Sequence, residues 1–389
     1  MSIYQEAKFI ENEIIAWRRY FHQHAEVGQN LPVTAAKVKE ELEKMGVEYR
    51  EIIPNAIMAT IGKKGGRSIL LRGDMDALPM SEQTGLPFAS QNPGAMHSCG
   101  HDTHTAMLLG AAKLLKAHED QLEGLAILMF QSDEEGLTGA RDMIAAGALE
   151  NPHPDRAVAI HISADAVKTG QILIKSGVCM ASSDGFRITL HGKGGHGAAP
   201  EEAINPIFAA VKIIGAFEDI ARYEIDPQSP SVVNICALNA GTTYNIIPND
   251  CVIMGTVRMF DEEKRAILLG RLQQAMHSIA ELYRCRAEWY IGQTAPSTRS
   301  DEQAAEATAA SLKGCLPEAE VLPVSTEKAM GSEDFSFVTQ KVPSVMISLG
   351  STSPEGKSFP MHNPCVLFDE NAFAYGTAAY TCIAMDYLR

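Results

Sequence analysis

Read for apolar periodicity, the chain keeps two different rhythms, and the switch between them constrains the fold more than any other feature. Up to about residue 178, helical patterns alternate with short, continuously apolar runs. Helices are expected over 34–45 and 103–117 and from residue 139, with strands at 56–61, 68–72, 125–130 and 157–161. Alternation of this kind indicates an α/β layered domain with helices on both faces of a largely parallel sheet. From 182 to 292 the order becomes strand 186–191, helix 205–223, strands 232–238 and 252–258, helix 262–283 and strand 286–291. That is βαββαβ, the pattern of a split βαβ, ferredoxin-like sandwich. The α/β rhythm then resumes with a helix near 301–312, a strand at 344–349 and a closing helix from residue 370. The expectation is a small domain, 182–292, inserted into a larger one formed by 1–181 and 293–389.

Length and composition agree with this. A chain of 389 residues, 46% hydrophobic and 21% charged, suits a soluble protein of about two domains. The net charge of −15 and the absence of a basic patch argue against a nucleic-acid partner. They do not exclude an anionic small molecule, because one arginine can reverse the field inside a cleft. Ala7, Ile10, Ile14, Trp17 and Phe21 recur every three or four positions and read as one amphipathic helix. No cationic start precedes an apolar core there, so the segment does not read as a secretory signal. No apolar run reaches the length of a membrane span, and a cytoplasmic location is expected. The eight cysteines lie singly, without a CxxC pair, which suggests reduced thiols rather than a disulfide framework.

Two segments carry chemistry. In 96–104 (MHSCGHDTH), Cys99 and His101 offer a thiolate and an imidazole two residues apart, the ligand types that zinc-like ions prefer. The bland alternative is a buried cysteine beside polar histidines at a helix start. In 130–136 (FQSDEEG), three acids follow an apolar strand, and the alternative is a solvated acidic loop. Position decides between these readings. Asp74 and Asp76 follow the strand at 68–72, Glu134 and Glu135 follow the one at 125–130, His161 closes another, and His362 lies in a turn-rich stretch after the strand at 344–349. Parallel strands bring all of them to the sheet edge where ligands bind in open α/β folds. Four segments delivering metal-compatible side chains to one edge are hard to explain as solvated loops.

The segments RRYFHQHAEVG, RGDMDALP, MHSCGHDTH, DEEG, GKGGHGAAP, GTTYNIIPN, GSEDF and MHNP occur in this order along essentially the whole chain. In them the sequence resembles the aminoacylase, hippurate hydrolase and indole-acetyl-amino-acid hydrolase family, relatives of the co-catalytic zinc carboxypeptidases and deacetylases. The resemblance implies a zinc-peptidase-like α/β catalytic domain and an inserted lid that often mediates dimerisation, hence a homodimer or higher homo-oligomer. It makes Cys99, His101, Glu135, His161 and His362 the ligands of two divalent ions, with Cys99 bridging. One ion is held by Cys99, Glu135 and His362, and the other by Cys99, His101 and His161. Zinc suits these ligands, while manganese, cobalt and nickel are also associated with the family. Asp74 stands where related zinc peptidases have a ligand histidine, and His101 replaces that ligand. Asp76 orients a ligand histidine, and Glu134 is the general base. In the lid, His196 stabilises the oxyanion, commonly in the neighbouring subunit's site, and Asn245 and Arg258 hold the carboxylate of an N-acyl amino acid substrate. Taken alone, the stretch around His196 is a glycine-rich turn, and Arg258 is a surface partner of Asp261 or Glu262.

The chain departs from the family at His22-Gln23-His24-Ala25-Glu26, which lacks a usual proline, and at Ser132-Asp133 before the paired glutamates. Glu333 and Asp334 in GSEDF have no chemical role legible in the sequence. Competing expectations are a dipeptidase or carboxypeptidase, a non-catalytic metal carrier, which would not need Glu134, and a cysteine-nucleophile hydrolase with Cys99 attacking and His101 as base.

Overall fold

The computed structural model describes residues 1–353 and 359–389. In chain order the first stretch contains α1 (Ile3–Phe9), α2 (Glu11–Gln23), α3 (Pro32–Met45), β1 (Glu48–Ile53), β2 (Ala56–Gly62), β3 (Ser68–Asp74) and α4 (His101–Ala117). It continues with β4 (Leu125–Gln131), α5 (Gly139–Ala145), β5 (Arg156–Ser163), β6 (Gln171–Ile174) and β7 (Gly177–Met180). The insert holds β8 (Ser183–His191), β9 (Gly195–His196), α6 (Pro206–Tyr223), β10 (Ser231–Ala240), β11 (Ile246–Ile247), β12 (Asp250–Met259), α7 (Glu262–Leu282) and β13 (Arg286–Ala295). The chain returns through β14 (Thr298–Ser300), α8 (Glu302–Cys315), β15 (Glu320–Val321), α9 (Ser336–Thr339), β16 (Ser344–Gly350) and α10 (Phe373–Tyr387).

Contacts divide the chain into two units: Met1–Cys179 with Thr298–Glu327 and Asp334–Arg389, and Met180–Ser297 with Lys328–Glu333. The short piece Lys328–Glu333 falls in the stretch expected for the larger domain. It joins the second unit because Ala329 bridges Met180 and its carbonyl accepts the Ala181 N–H.

The first unit is built on an eight-stranded sheet in the order β1-β2-β4-β3-β5-β16-β6-β15. Every residue of β3 and β4 is buried, as continuous apolar runs require when both faces of a strand are covered. The central strands β4, β3, β5 and β16 are parallel, so their carboxyl ends share one edge. The flanking pairs β1–β2 and β2–β4 are antiparallel, which makes the sheet mixed toward that side. Helix α4 packs against β3, α2 and α10 and is buried on nearly all sides, which sets it inside the core rather than on its surface.

Two expectations need correction here. The amphipathic run 7–21 is not one helix: the backbone at Ile10 leaves helical geometry (φ −98°, ψ 7°), ending α1 and starting α2. Phe9, just before the break, is exposed, while Ile14, Trp17 and Phe21 are buried. The cysteines are not all thiols either: Cys315, at the end of α8, and Cys382, inside α10, form a disulfide with Cα atoms 5.9 Å apart. Packing of α8 on α10 brings them together across 67 residues, which spacing alone does not reveal. The other six are free.

The second unit is the expected βαββαβ sandwich. Its sheet runs β10-β12-β8-β13, antiparallel throughout. Asn205 and Asp261 cap α6 and α7 by accepting the backbone N–H of Ile207 and Lys264. The helices bury Ile213, Phe217, Leu268 and Leu272 in one cluster with Phe186, Ile188 and Ile253 of the sheet. Each such side chain is worth about 1.5–3 kcal/mol when fully buried.

Candidate metal centre

All the acid, thiol and imidazole groups singled out in the first unit lie at the carboxyl edge of its parallel strands. Cys99 and His101 flank Gly100, which has φ +83° and whose added Cβ would stand 2.4 Å from the Ile162 side chain. Both the left-handed backbone and that contact require glycine, and the turn delivers His101 as the first residue of α4. The Cys99 Sγ lies 3.5 Å from His161 Nε2 and 3.3 Å from His362 Nε2. His362 adopts a left-handed backbone (φ 62°), and its N–H donates to the Ser98 carbonyl (3.0 Å), tying its loop to the cysteine segment. Glu135 Oε1 is 3.4 Å from His362 Nε2 and 3.9 Å from His101 Nε2.

The potential ligand atoms fall into overlapping groups, each with all atoms within 4.8 Å: Cys99, His101 and His161; Cys99, Glu135 and His362; and His101, Glu134 and Glu135. The Cys99 sulfur belongs to two of them. Both ring nitrogens of His101 are buried without a hydrogen-bond partner. Buried polar atoms left in this state are costly, so the residues fit cations, and a thiolate, imidazole and carboxylate set suits zinc-type ions.

Protonation reflects the crowded charge. Burial opposes a charged His101, yet Asp74 and Cys99 hold its pKa well above the usual value. Hydrogen bonds to Cys99 and Glu135 raise His362 to about 10. Burial pushes the Cys99 thiol up despite His101, the opposite of an activated nucleophile. Burial also raises Glu135, but its bond to His362 and the charge of His101 leave it lowered. Burial takes His161 down to about 3. Its Nδ1–H faces the Ile162 carbonyl at 2.7 Å, which leaves Nε2 an open lone pair on the cysteine side.

Asp76 does more than the sequence suggested. Its Oδ1 is 3.4 Å from His101 Nδ1, and its two oxygens accept the backbone N–H groups of Glu134 (3.0 Å) and Glu135 (3.1 Å). One carboxylate thus clamps the turn that points Glu134 and Glu135 in different directions. Asp74 accepts from Arg72 Nη1 (2.5 Å) and from His104 Nδ1 (2.6 Å). Burial would raise its carboxyl, but Arg72, His101 and His104 hold it well below the usual range. The acid at Asp133 accepts from the Thr138 hydroxyl at the start of α5. Its backbone, like that of Leu137, is left-handed.

Several supporting residues carried no sequence signal. Asp334 is buried, accepts from Arg72 Nη2 (2.9 Å), Gln131 Nε2 (2.6 Å) and Ala140 N (2.9 Å), and its own N–H donates to Glu134 Oε1 (3.3 Å). This is the physical account of the aspartate in GSEDF. Its partners lie up to 262 positions away, beyond any spacing rule. Arg18 Nε donates to Asp102 (2.9 Å), and His22 sits between Asp102 (2.7 Å) and Glu82 (3.2 Å). That network explains the first histidine of the segment 22–26, while Glu26 accepts from the Val33 and Thr34 N–H groups at the start of α3.

Of the second unit's candidates, His196 pairs with Ile246 across the short β9–β11 ribbon, and the Gly197 N–H donates to the Asn245 carbonyl (2.9 Å). Ala198 N–H donates to His196 Nδ1 (3.1 Å), so the ring proton sits on Nε2 of the exposed imidazole. Arg258 donates from Nη1 to Ser332 Oγ (2.9 Å). Asp261 instead caps α7 and Glu262 pairs with Arg265 (2.6 Å), so among the described residues no surface ion pair holds Arg258.

Two groups able to hold a cation thus meet at one sulfur, beside a glutamate that belongs to neither, an arrangement that suits a pair of metal ions. Residues 70–386 match the model of Peptidase family M20/M25/M40, and the chain belongs to that family. It is 37% identical to thermostable carboxypeptidase 1 of Saccharolobus solfataricus, covering 98% of this chain and 97% of that one. It is 33% identical to the hippurate hydrolase of Campylobacter jejuni, covering 100% of both. The fold superposes with a TM-score of 0.81 on a dinuclear metal binding peptidase of Bacillus subtilis from the M20 family, 31% identical and covering 98% of this chain and 99% of that one. The chain is a hydrolase. No helix among its described residues is long and apolar enough to cross a membrane.

Proposed function

We propose that this hydrolase cleaves the amide bond of N-acyl amino acids, releasing a carboxylic acid and a free amino acid. The observation that carries the reading is the Cys99 sulfur common to two ligand triads, with Glu134 outside both. Cys99, Glu135 and His362 hold one ion, and Cys99, His101 and His161 the other. Zinc is the metal that a thiolate and imidazole set favours, with manganese, cobalt or nickel as substitutes. Bound there, two ions supply Lewis acidity to the scissile carbonyl and acidify the attacking water.

Glu134 accepts the water's proton and passes it to the departing amine. Asp76 keeps it poised by clamping its backbone. His196, as a neutral Nε2–H donor, stabilises the carbonyl oxygen as it turns negative, in the partner subunit's site. Arg258 and Asn245 take the substrate's carboxylate, a role supported by the absence of a carboxylate partner for Arg258 among the described residues. Dimerisation through the second unit is supported by the edge strand β10 and by exposed Phe208 and Val211, one turn apart on α6.

Likeness to a carboxypeptidase favours a second reading, in which the acyl group is itself an aminoacyl residue. Both readings use the same carboxylate anchor and differ only on the acyl side. Rates on acetyl and benzoyl amino acids against unblocked dipeptides separate them. Glu134→Gln tests the shared chemistry: metal content is expected to stay, and turnover to fall by roughly 10²–10⁴-fold. A loss under about tenfold with metal retained places the base elsewhere.

A further inference from the structure

We infer that His104 and Thr105 are positioning residues that wedge the start of α4 into an opened seam of the sheet and so set His101 against His161. The inference rests on the two-ion reading above. Strands β3 and β5 pair in parallel only from Ile69↔Arg156 to Arg72↔Ala159. Each strand nevertheless continues on its other side, β3 with β4 as far as Asp74↔Gln131 and β5 with β16 as far as Ser163↔Gly350. Only the seam between β3 and β5 parts.

The next rungs of a parallel ladder would run from the Ile160 N–H to the Arg72 carbonyl and from the Ile162 N–H to the Asp74 carbonyl. The ladder pairing ends at the first of these positions, and side chains enter at both. At the first, one oxygen stands between the strands: the Ile160 N–H donates to Tyr380 Oη (2.9 Å), and that hydroxyl donates to the Arg72 carbonyl (2.6 Å). At the second, adjacent residues of α4 take one half each. The Thr105 hydroxyl donates to the Asp74 carbonyl (2.8 Å), and the Ile162 N–H donates to His104 Nε2 (2.8 Å).

Because Nε2 of His104 accepts a backbone N–H, the ring proton lies on Nδ1 and is given to Asp74 Oδ1 (2.6 Å). His104 is thereby committed on both nitrogens, which explains why it is no ligand although Asp74, His101 and His104 lie close enough to suggest one. Its ring also fills the space between the two proposed ligands, with centroids 5.4 Å from His101 and 4.6 Å from His161. Gly73 permits the close approach, since a Cβ there would come within 3.0 Å of the His104 carbonyl.

The consequence is selective. His161 sits between Ile160 and Ile162, whose N–H groups are both held by side chains, while His101 precedes His104 by three residues on one helix. The wedge therefore sets the separation of His101 and His161 and leaves Glu135 and His362 untouched. Partners of this kind typically change metal affinity by about 10–100-fold.

The test is a Zn²⁺ titration of the metal-free, full-length protein against a competing chromophoric chelator. His104→Ala is expected to weaken one of two binding constants by about 10–100-fold and the other by less than about threefold. Thr105→Val should act in the same direction, and Thr105→Ser should restore the wild-type constant. Hydrogen exchange of the 157–163 peptide without metal reads the seam itself, and it should accelerate in His104→Ala. Two unchanged constants, or an equal loss of both, overturn the assignment. Wild-type protein binding fewer than two ions overturns the two-ion reading instead, with the exchange result still deciding the seam. Should His104→Ala fail to fold, Thr105→Val against Thr105→Ser decides in the same way.

Discussion

Removing the Asp334 carboxylate tests whether the turn carrying Glu134 and Glu135 depends on a buried hub. The group is fully buried and accepts from Arg72, Gln131 and the Ala140 backbone. In Asp334→Ala, Arg72 keeps Asp74 as a partner at 2.5 Å, so its charge is not stranded. The Gln131 amide and the Ala140 N–H lose the acceptor they have here, at about 1–3 kcal/mol for each buried donor left unmade. With Arg72 still paired, the two unmade donors together cost about 2–6 kcal/mol. Asp334→Asn keeps one acceptor oxygen but sets an NH₂ against a donor, so its loss is about 1–3 kcal/mol.

The assay can be confined to the first unit, because the chain has two tryptophans, with Trp17 in that unit and Trp289 in the other. In a Trp289→Phe background, urea denaturation followed by fluorescence reports on the Trp17 environment alone. With a slope of about 3 kcal/mol/M, the Asp334→Ala midpoint should fall by roughly 0.7–2 M. A shift below about 0.3 M would refute the hub, since the donors would then have found other partners at little cost.

Chelation should abolish turnover; full activity after metal removal, checked by elemental analysis, ends the two-ion reading. Arg258→Ala should weaken hydrolysis of acyl amino acids more than that of their amides or esters, and equal losses in kcat/KM on the two substrate types would remove Arg258 from carboxylate binding. His196→Ala should keep its metal and lose turnover by about 10²–10³-fold. Mixed with Glu134→Gln under confirmed subunit exchange, it should recover up to about half of wild-type activity if the donor acts across a dimer; no recovery restricts His196 to its own chain.

Much of the site was legible because each contributing strand announces itself locally. The runs 69–71, 125–130 and 157–160 are continuously apolar, and a polar group just past such a run in a parallel sheet has only one edge to occupy. The same locality explains the insert, whose alternating strands and capped helices are each readable from a few neighbouring residues. The Asp133 contact to Thr138 was not legible, because it depends on the left-handed backbone at that position.

The sequence by itself determined most of the long helices and strands, which residues follow the parallel strands and which ligand chemistry they offer, since all of these follow from short-range periodicity and side-chain type. Tertiary structure alone decided the pairings between distant segments. Ile10 breaks the first helix, Cys315 meets Cys382, Asp334 reaches Arg72, and α4 enters the seam that β3 and β5 leave open. Periodicity reports whether a segment is buried, not what it is buried against. A hydrogen bond or disulfide between segments is fixed only when packing brings their backbones to within a few ångströms, and no single segment encodes that approach.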